Sequence, residues 1–364
     1  MNENKSMQKT SAPSRILMLK SHSAGIGDIL RSSAAWRALK IGYPTAELHL
    51  VFFTAHPGYA SEKLIRSHHL LNGFHVIDKR TDSLAQVFRF WREVNAVCDA
   101  VHPDLVIDFE SGGLRLALVS RWISLRNGAA TVGVNAFPGR SLFYGKSSAS
   151  MHQYANARNL PLPIEYTERD FTVLSALGIE RNGIPIELEE TAESTNYRRN
   201  FRSQFGLADD VKLLGMNIGC GTPDAVLRRP SLAVMAGIGA YVQKKYGYQL
   251  VIGLGAPFES EVDKEFLGKY RELCDAPVID LEGKVALLSL VGLIGTFDLF
   301  ISGDSGPYHI AVAVKTPTLA VFNEDCPPAI HTHPWVRCIL ANQEDHIGRL
   351  TQAVDELLAA KQIR

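Results

Sequence analysis

No charge of either sign is in excess in this chain: Lys plus Arg and Asp plus Glu each number 38. Nucleic-acid proteins usually show a basic surplus, and its lack argues against a nucleic-acid partner. Cysteine is scarce and scattered, at Cys98, Cys220, Cys274, Cys326 and Cys338, with no C-x-x-C pair. An odd count without a framework excludes a disulfide scaffold and implies a reducing, cytoplasmic setting. No apolar run approaches the ~20 residues that span a bilayer. The segment Met1–Ser14 is polar and lacks a signal-peptide core, so it reads as a disordered tail. Several catalytic signatures are missing as well. There is no D-x-D triplet, no H-E-x-x-H, no Walker-type lysine loop and no G-x-S-x-G elbow. A nucleoside diphosphate would therefore have to be neutralised by arginines and a helix N-terminus, without a bound metal, and a serine hydrolase is disfavoured.

What is present is an alternation of short apolar runs and helical segments over 364 residues, enough for two domains. In the first half, strands are expected at Ile16–Lys20, Leu48–Phe53, Val76–Asp78, Leu105–Phe109 and Thr131–Val134. Helices are expected from Asp28 to about Ile41, over Leu84–Val101, and from Gly113 to about Ile123. The pattern loosens around Gly178–Glu190, where the domain boundary is placed, and then restarts. Strands at Leu213–Asn217, Gln249–Leu254, Pro277–Leu281, Leu299–Ser302 and Thr318–Phe322 alternate with helices, and Gln343–Ala360 forms a last helix. Strands separated by helices imply parallel sheets with covering helices. The division is thus a tail (1–14), two Rossmann-like domains (15–180 and 181–342) and a C-terminal helix (343–364). In such folds ligands sit at the carboxyl ends of the strands.

The most informative stretch runs from Phe297 to His309: an apolar strand, the turn Gly303-Asp304-Ser305-Gly306, then a helix opening at Pro307. Proline suits a helix's first turn. The free N–H groups there, with the Ser305 hydroxyl, make an anion site that His309 can also face. The plainer reading is an ordinary turn with Asp304 or Ser305 as N-cap. The first βα loop, Ser21 to Asp28, has Gly25 and Gly27 but is not G-x-G-x-x-G, because position 30 is leucine. A carboxylate at the helix start also disfavours a diphosphate: two like charges ~4 Å apart repel by roughly 4 kcal/mol at an effective dielectric of 20. Asp28 either accepts a proton from a hydroxyl nucleophile or caps the helix. Arg228-Arg229-Pro230 in a second-half βα loop is a phosphate fork or a solvated pair. Glu259 either binds ribose hydroxyls or complements a helix dipole.

Together these loops resemble the heptosyltransferase-like glycosyltransferases, glycosyltransferase family 9. The resemblance is carried by Gly25-Ile26-Gly27-Asp28-Ile29-Leu30 through Leu39-Lys40, by Asp108 to Arg115, by His152 through Arg158-Asn159-Leu160, and by Asp304-Ser305-Gly306-Pro307-Tyr308-His309 with Ala311, Ala313 and Pro317. It runs from about Ile16 to Phe322. It implies an α/β GT-B fold, two Rossmann-like domains facing each other across a cleft. It also implies metal-independent, inverting transfer of a heptose or related sugar from an ADP-sugar to an acceptor hydroxyl, in lipopolysaccharide core or related glycan assembly, with no cofactor. Asp28 then corresponds to the catalytic base, with Gly25 and Gly27 in the acceptor-side loop. Asp304, Ser305, Gly306 and His309 fall on the donor side, Arg228 or Arg229 on the phosphates, and Glu259 near the ribose. The acceptor is a membrane glycolipid, a protein hydroxyl or a small metabolite, and the setting cytoplasmic or peripheral at the inner membrane. Zero net charge and the lack of an obvious basic amphipathic helix weigh against a membrane-bound acceptor. Rival readings are a nucleotide-sugar epimerase, which needs a second acid or base beside Asp28, and a non-catalytic nucleotide-sugar-binding subunit.

Overall fold

A computed structural model describes residues 12–21, 25–110, 112–221, 225–323, 329–341 and 344–362. Most of the expected tail, part of the first βα loop (22–24), Cys326 and the expected start of the last helix at Gln343 lie outside them. Ser14, assigned to the tail, joins the fold: its N–H and hydroxyl donate to Asp104 at 2.8 and 2.6 Å.

Among the described residues, two sheets of six parallel strands form. The first contains β1 (Arg15–Ser21), β2 (Glu47–Thr54), β3 (Gly73–Asp78), β4 (Leu105–Asp108), β5 (Ala130–Val134) and β6 (Lys146–Ser148). The second contains β7 (Leu213–Asn217), β8 (Gln249–Ile252), β9 (Val278–Asp280), β10 (Leu299–Ser302), β11 (Thr318–Phe322) and β12 (Val336–Leu340). Their orders are β3-β2-β1-β4-β5-β6 and β12-β11-β10-β7-β8-β9. These are the same topology, with switch points between β1 and β4 and between β7 and β10. The helices of the first half are α1 (Ile26–Gly42), α2 (Ala60–Ile65), α3 (Leu84–Val101), α4 (Arg115–Asn127), α5 (Met151–Ala157) and α6 (Glu168–Leu174). Those of the second are α7 (Ala192–Gln204), α8 (Ala225–Arg228), α9 (Leu232–Tyr246), α10 (Ser260–Leu273), α11 (Leu287–Ile294), α12 (Gly306–Ala313) and α13 (Ile347–Gln362). None is long and apolar enough to cross a membrane.

Local chemistry sets the elements. The central residues of β1, Ile16 to Lys20, are buried, as a strand covered on both faces requires. Helix α3 starts in a capping box, Ser83 Oγ accepting from Gln86 N–H and Gln86 Oε1 from Ser83 N–H, and ends at left-handed His102 before Pro103. The sequence reading missed β6 and β12. Both are edge strands, and neither Lys-Ser-Ser nor the half-exposed Val336–Leu340 shows a buried period. One apolar core lies between α3, α4 and a face of the first sheet, and another between α9, α10, α13 and a face of the second. A third runs continuously from Ile16 and Leu50 through Ile294 to Phe300 and Tyr308, joining the two halves.

At the carboxyl end of β4 the buried Asp108 accepts from Tyr144 Oη (2.7 Å) and Arg140 Nη2 (3.1 Å). Arg140 also donates to the carbonyls of Gly113, Val134 and Glu110. Burial pushes the Asp108 carboxyl up to about 6, against the pull of Tyr144 and Arg140. Removing one partner of a buried pair leaves an uncompensated charge, which typically costs about 3–5 kcal/mol. Arg140→Met should therefore lower the unfolding free energy in urea by about that much, and a loss under ~1 kcal/mol would show that Asp108 does not need its guanidinium.

Candidate active site

The two switch points face each other across a cleft of about 710 Å³. From the first sheet, the start of α1 brings Gly25, Gly27 and Asp28 to its wall. From the second, the β10–α12 turn brings Asp304, Ser305, Gly306 and His309, and the loops after β7 and β8 bring Arg228 and Glu259. Every candidate residue but one lines this cleft. Arg229 is the exception, so the choice left open between the two arginines falls to Arg228 on position.

Asp28 does not cap its helix. The helix begins two residues earlier, Gly25 is the N-cap, and Asp28 lies in the first turn. Its Oδ1 accepts from Tyr166 Oη at 2.7 Å and lies 3.4 Å from Arg31 Nη1. Burial raises the Tyr166 hydroxyl well above its ordinary pKa, and the Asp28 charge adds to that, so Tyr166 stays a donor. The Tyr166 ring stacks on His309 with centroids 5.2 Å apart. The guanidinium carbons of Arg31 and Arg169 lie 5.0 and 4.9 Å from its centroid.

Behind Asp28 lies a buried charge network. Arg31 Nε is 3.2 Å from Asp170 Oδ1. Lys20 Nζ donates to Asp170 Oδ2 (3.0 Å) and Ser32 Oγ (2.6 Å), and Ser32 Oγ donates to Asp170. Burial, reinforced by the Arg31 charge, lowers the Lys20 pKa. Asp170 is held below the usual carboxylate range because Lys20 and Arg31 outweigh its burial.

On the opposite wall, Ser305 is the N-cap of α12. Its Oγ accepts from Tyr308 N–H (3.4 Å) and Asn217 Nδ2 (3.0 Å) and bonds with Ser302 Oγ (2.9 Å). The hydroxyl is thus committed to the turn, and with Pro307 next the donor that the helix itself does not use is the Gly306 N–H. Asp304 sits between Arg228 Nη1 (3.8 Å) and His309 Nε2 (3.7 Å). Glu259 is neither a bare dipole partner nor an idle acid: its oxygens accept the Gly221 N–H (2.7 Å) and the Ala256 N–H (2.9 Å), tying two loops together. Gly219 and Gly255 leave room for it, since a Cβ on either would overlap that carboxylate.

His309 Nδ1 is 3.0 Å from His331 Nε2, and His331 Nδ1 is 3.5 Å from Glu165 Oε1. Burial lowers His331 to about 4, so its ring is neutral near pH 7. With Glu165 ionised, His331 Nδ1–H points at the carboxylate and Nε2 accepts from His309 Nδ1–H. That leaves His309 Nε2 facing Asp304. Glu165, His331 and His333 have ligand-type atoms within 4.8 Å of one another. Arg181 already pairs with Glu165, however, and His331 uses both ring nitrogens, so these two belong to a hydrogen-bond network, while His333 stacks on Trp335.

The family model for glycosyltransferase family 9 (heptosyltransferase) matches residues 240–352. Lipopolysaccharide heptosyltransferase 1 of Campylobacter coli is 21% identical over 306 residues, 82% of this chain and 81% of that protein. Over residues 240–352 the chain is thus similar to the heptosyltransferases of glycosyltransferase family 9. Lipopolysaccharide heptosyltransferase 3 of Escherichia coli is 37% identical over 93 residues, 24% of this chain, and the match spans only a quarter of that relative's length. The structure of an E. coli heptosyltransferase, WaaC with ADP-2-deoxy-2-fluoro heptose, superposes with a TM-score of 0.63 at 18% identity, covering 94% of this chain and 99% of that one. At that identity the likeness establishes the fold, the two-domain GT-B architecture.

Around this cleft the sequence reading missed Lys20, Arg31, Tyr166, Arg169, Asp170 and His331. Only Lys20 left a signal: a lysine inside an apolar strand must find a partner if buried. Other residues of the resemblance serve packing. Arg158 covers the Tyr154 ring and pairs with Glu180, and Arg115 donates to the Lys79 carbonyl, both away from the cleft.

The halves meet through two missing side chains. A Cβ on Gly27 would overlap the His309 ring, and one on Gly306 would crowd Ile26 Cδ1 at 2.8 Å. His309 is held by Tyr166 and His331 and cannot swing aside. Gly27→Ala should therefore cost about 1–3 kcal/mol in thermal or urea unfolding. Gly268→Ala, in an open helical position, should instead stabilise by up to ~1 kcal/mol. Equal responses would contradict the close approach at Gly27.

Proposed function

We propose that the protein is an inverting, metal-independent glycosyltransferase that moves a heptose or related sugar from an ADP-sugar to an acceptor hydroxyl of the lipopolysaccharide core. The observation that carries this reading is the opposition of Asp28, on the start of α1, to Arg228, Gly306 and His309 on the other wall of one cleft. A base on one side and anion-binding groups on the other suit an in-line displacement at a carbon lying between them. The relative solved with ADP-2-deoxy-2-fluoro heptose suggests the donor, and the curated relatives suggest the lipopolysaccharide acceptor.

In this mechanism Asp28 removes the proton from the acceptor hydroxyl as its oxygen forms a bond to the anomeric carbon. The bond from that carbon to the diphosphate oxygen breaks on the opposite face. The diphosphate leaves with the added negative charge. Arg228 and the Gly306 N–H meet that charge from fixed positions, and one such preorganised donor is worth about 10²–10³ in rate. Tyr166 and Arg31 orient the Asp28 carboxylate. Glu259, already holding two backbone N–H groups, keeps lone pairs for ribose hydroxyls.

Asp28→Ala should lower turnover by about 10²–10⁴ or more, the usual share of a general base, while ADP affinity stays near wild type. Arg228→Ala should weaken ADP binding, and Arg229→Ala should leave it nearly unchanged. Turnover with ADP-heptose and an acceptor extract, together with calorimetry on ADP, measures both. Equal loss of ADP affinity in the Asp28 variant would contradict the base assignment. An epimerase would change the donor sugar without an acceptor, which product analysis detects.

A further inference from the structure

Helices α3 and α4 bury one face against the first sheet through Phe90, Val94, Leu116 and Val119. Their outer faces should then be polar, yet they carry an apolar stripe. Leu84 and Phe88 on α3 are 89% and 73% exposed, and Leu118, Trp122 and Leu125 on α4 are 48%, 42% and 67% exposed. The spacings i, i+4 and i, i+4, i+7 align each set along one side of its helix. The stripes lie side by side. The rings of Trp91 and Trp122 meet edge to face at 5.6 Å, Trp122 Nε1 donates to Asn95 Oδ1 at 2.9 Å, and Arg126 pairs with Asp99 at 2.6 Å.

The charge on these two helices is in basic excess. Together α3 and α4 carry Arg89, Arg92, Arg115, Arg121 and Arg126 against only Glu93 and Asp99, in a chain whose charges balance overall. Arg92 and Arg121 are exposed and have no carboxylate partner among the described residues. Neither helix alone reads as a basic amphipathic helix, because the pattern is divided between two helices brought together by the fold. Exposed Trp, Phe and Leu flanked by arginines match the boundary of an anionic bilayer, where aromatic rings sit at headgroup depth and guanidinium groups meet phosphates.

We propose that the outer face of α3 and α4 is a docking surface for an anionic lipid bilayer. Both helices start just past the carboxyl ends of β3 and β4, at the sheet edge from which α1 carries Asp28 into the cleft. Docking through Leu84, Phe88 and Leu118 brings the cleft mouth to the lipid surface. Use of that placement to reach a glycolipid acceptor rests on the transferase reading, whereas the docking itself does not.

Flotation of the full chain with phosphatidylcholine vesicles, with and without phosphatidylglycerol, tests the surface directly. The wild-type protein should float with the anionic vesicles only and be released by high salt. The double variants Phe88→Ser/Leu118→Ser and Arg92→Gln/Arg121→Gln should each lose roughly tenfold or more in vesicle affinity. ADP affinity measured on the same variants should stay at the wild-type value, so that failure to float speaks against the surface and not against the cleft. Wild-type protein that does not float, or variants that float equally well, would overturn the proposal. So would a wild-type dimer in sedimentation that Phe88→Ser/Leu118→Ser converts to monomer, since a second copy would then be the occupant.

Discussion

Much of this site rests on one buried carboxylate, Asp170. It pairs with Lys20 at the end of β1 and with Arg31 one turn beyond Asp28, and it accepts from Ser32 in the same helix. Two cations this deeply buried require a counter-charge, since an unpaired buried ion costs several kcal/mol. Asp170 supplies it from α6, a helix that follows the first sheet in the chain. The pairing fixes the roll of α1 relative to β1, and therefore the direction of Asp28. Tyr166, four residues before Asp170, then reaches Asp28 from the same segment and rests on His309 from the other half. One short stretch, Glu165 to Asp170, thus couples the Asp28 wall of the cleft to the His309 wall.

The architecture explains why so small a stretch suffices. Both halves have the same strand order, so each presents a helix N-terminus at its switch point, α1 in one and α12 in the other. The two N-termini approach closely because Gly27 and Gly306 have no side chains to hold them apart. They then differ in chemistry. The first carries a carboxylate, which repels an anion. The second is capped by Ser305 and flanked by Arg228, which attracts one. A shared core from Ile16 to Tyr308 keeps the two ends in register.

Much of this was legible in the residues. Buried strands such as Leu213–Asn217 and Thr318–Phe322 announce themselves as apolar runs, and Leu84–Val101 as an amphipathic helix ended by His102-Pro103. Candidate residues close to glycine turns, from Gly25 to His309, come together because parallel sheets gather βα loops at one edge. Edge strands β6 and β12 were not legible, because their pairing depends on neighbours and not on a pattern of their own. The Lys20–Asp170 pair spans 150 residues and the Tyr166–Asp28 bond 138, distances over which sequence holds no local trace of contact. Glu259 and Ser305 were found as positions, but their commitment to backbone donors and to a helix cap emerges only from the folded loops.

The central claim is that the cleft between Asp28 and the α12 helix start holds a nucleoside diphosphate without a metal. Calorimetric titration of ADP, GDP and UDP, with and without magnesium, on wild type and His309→Ala tests it most directly. The account predicts a preference for ADP that magnesium does not alter and that the His309 variant weakens. Binding that requires magnesium, or none of the three nucleotides binding at all, would contradict it.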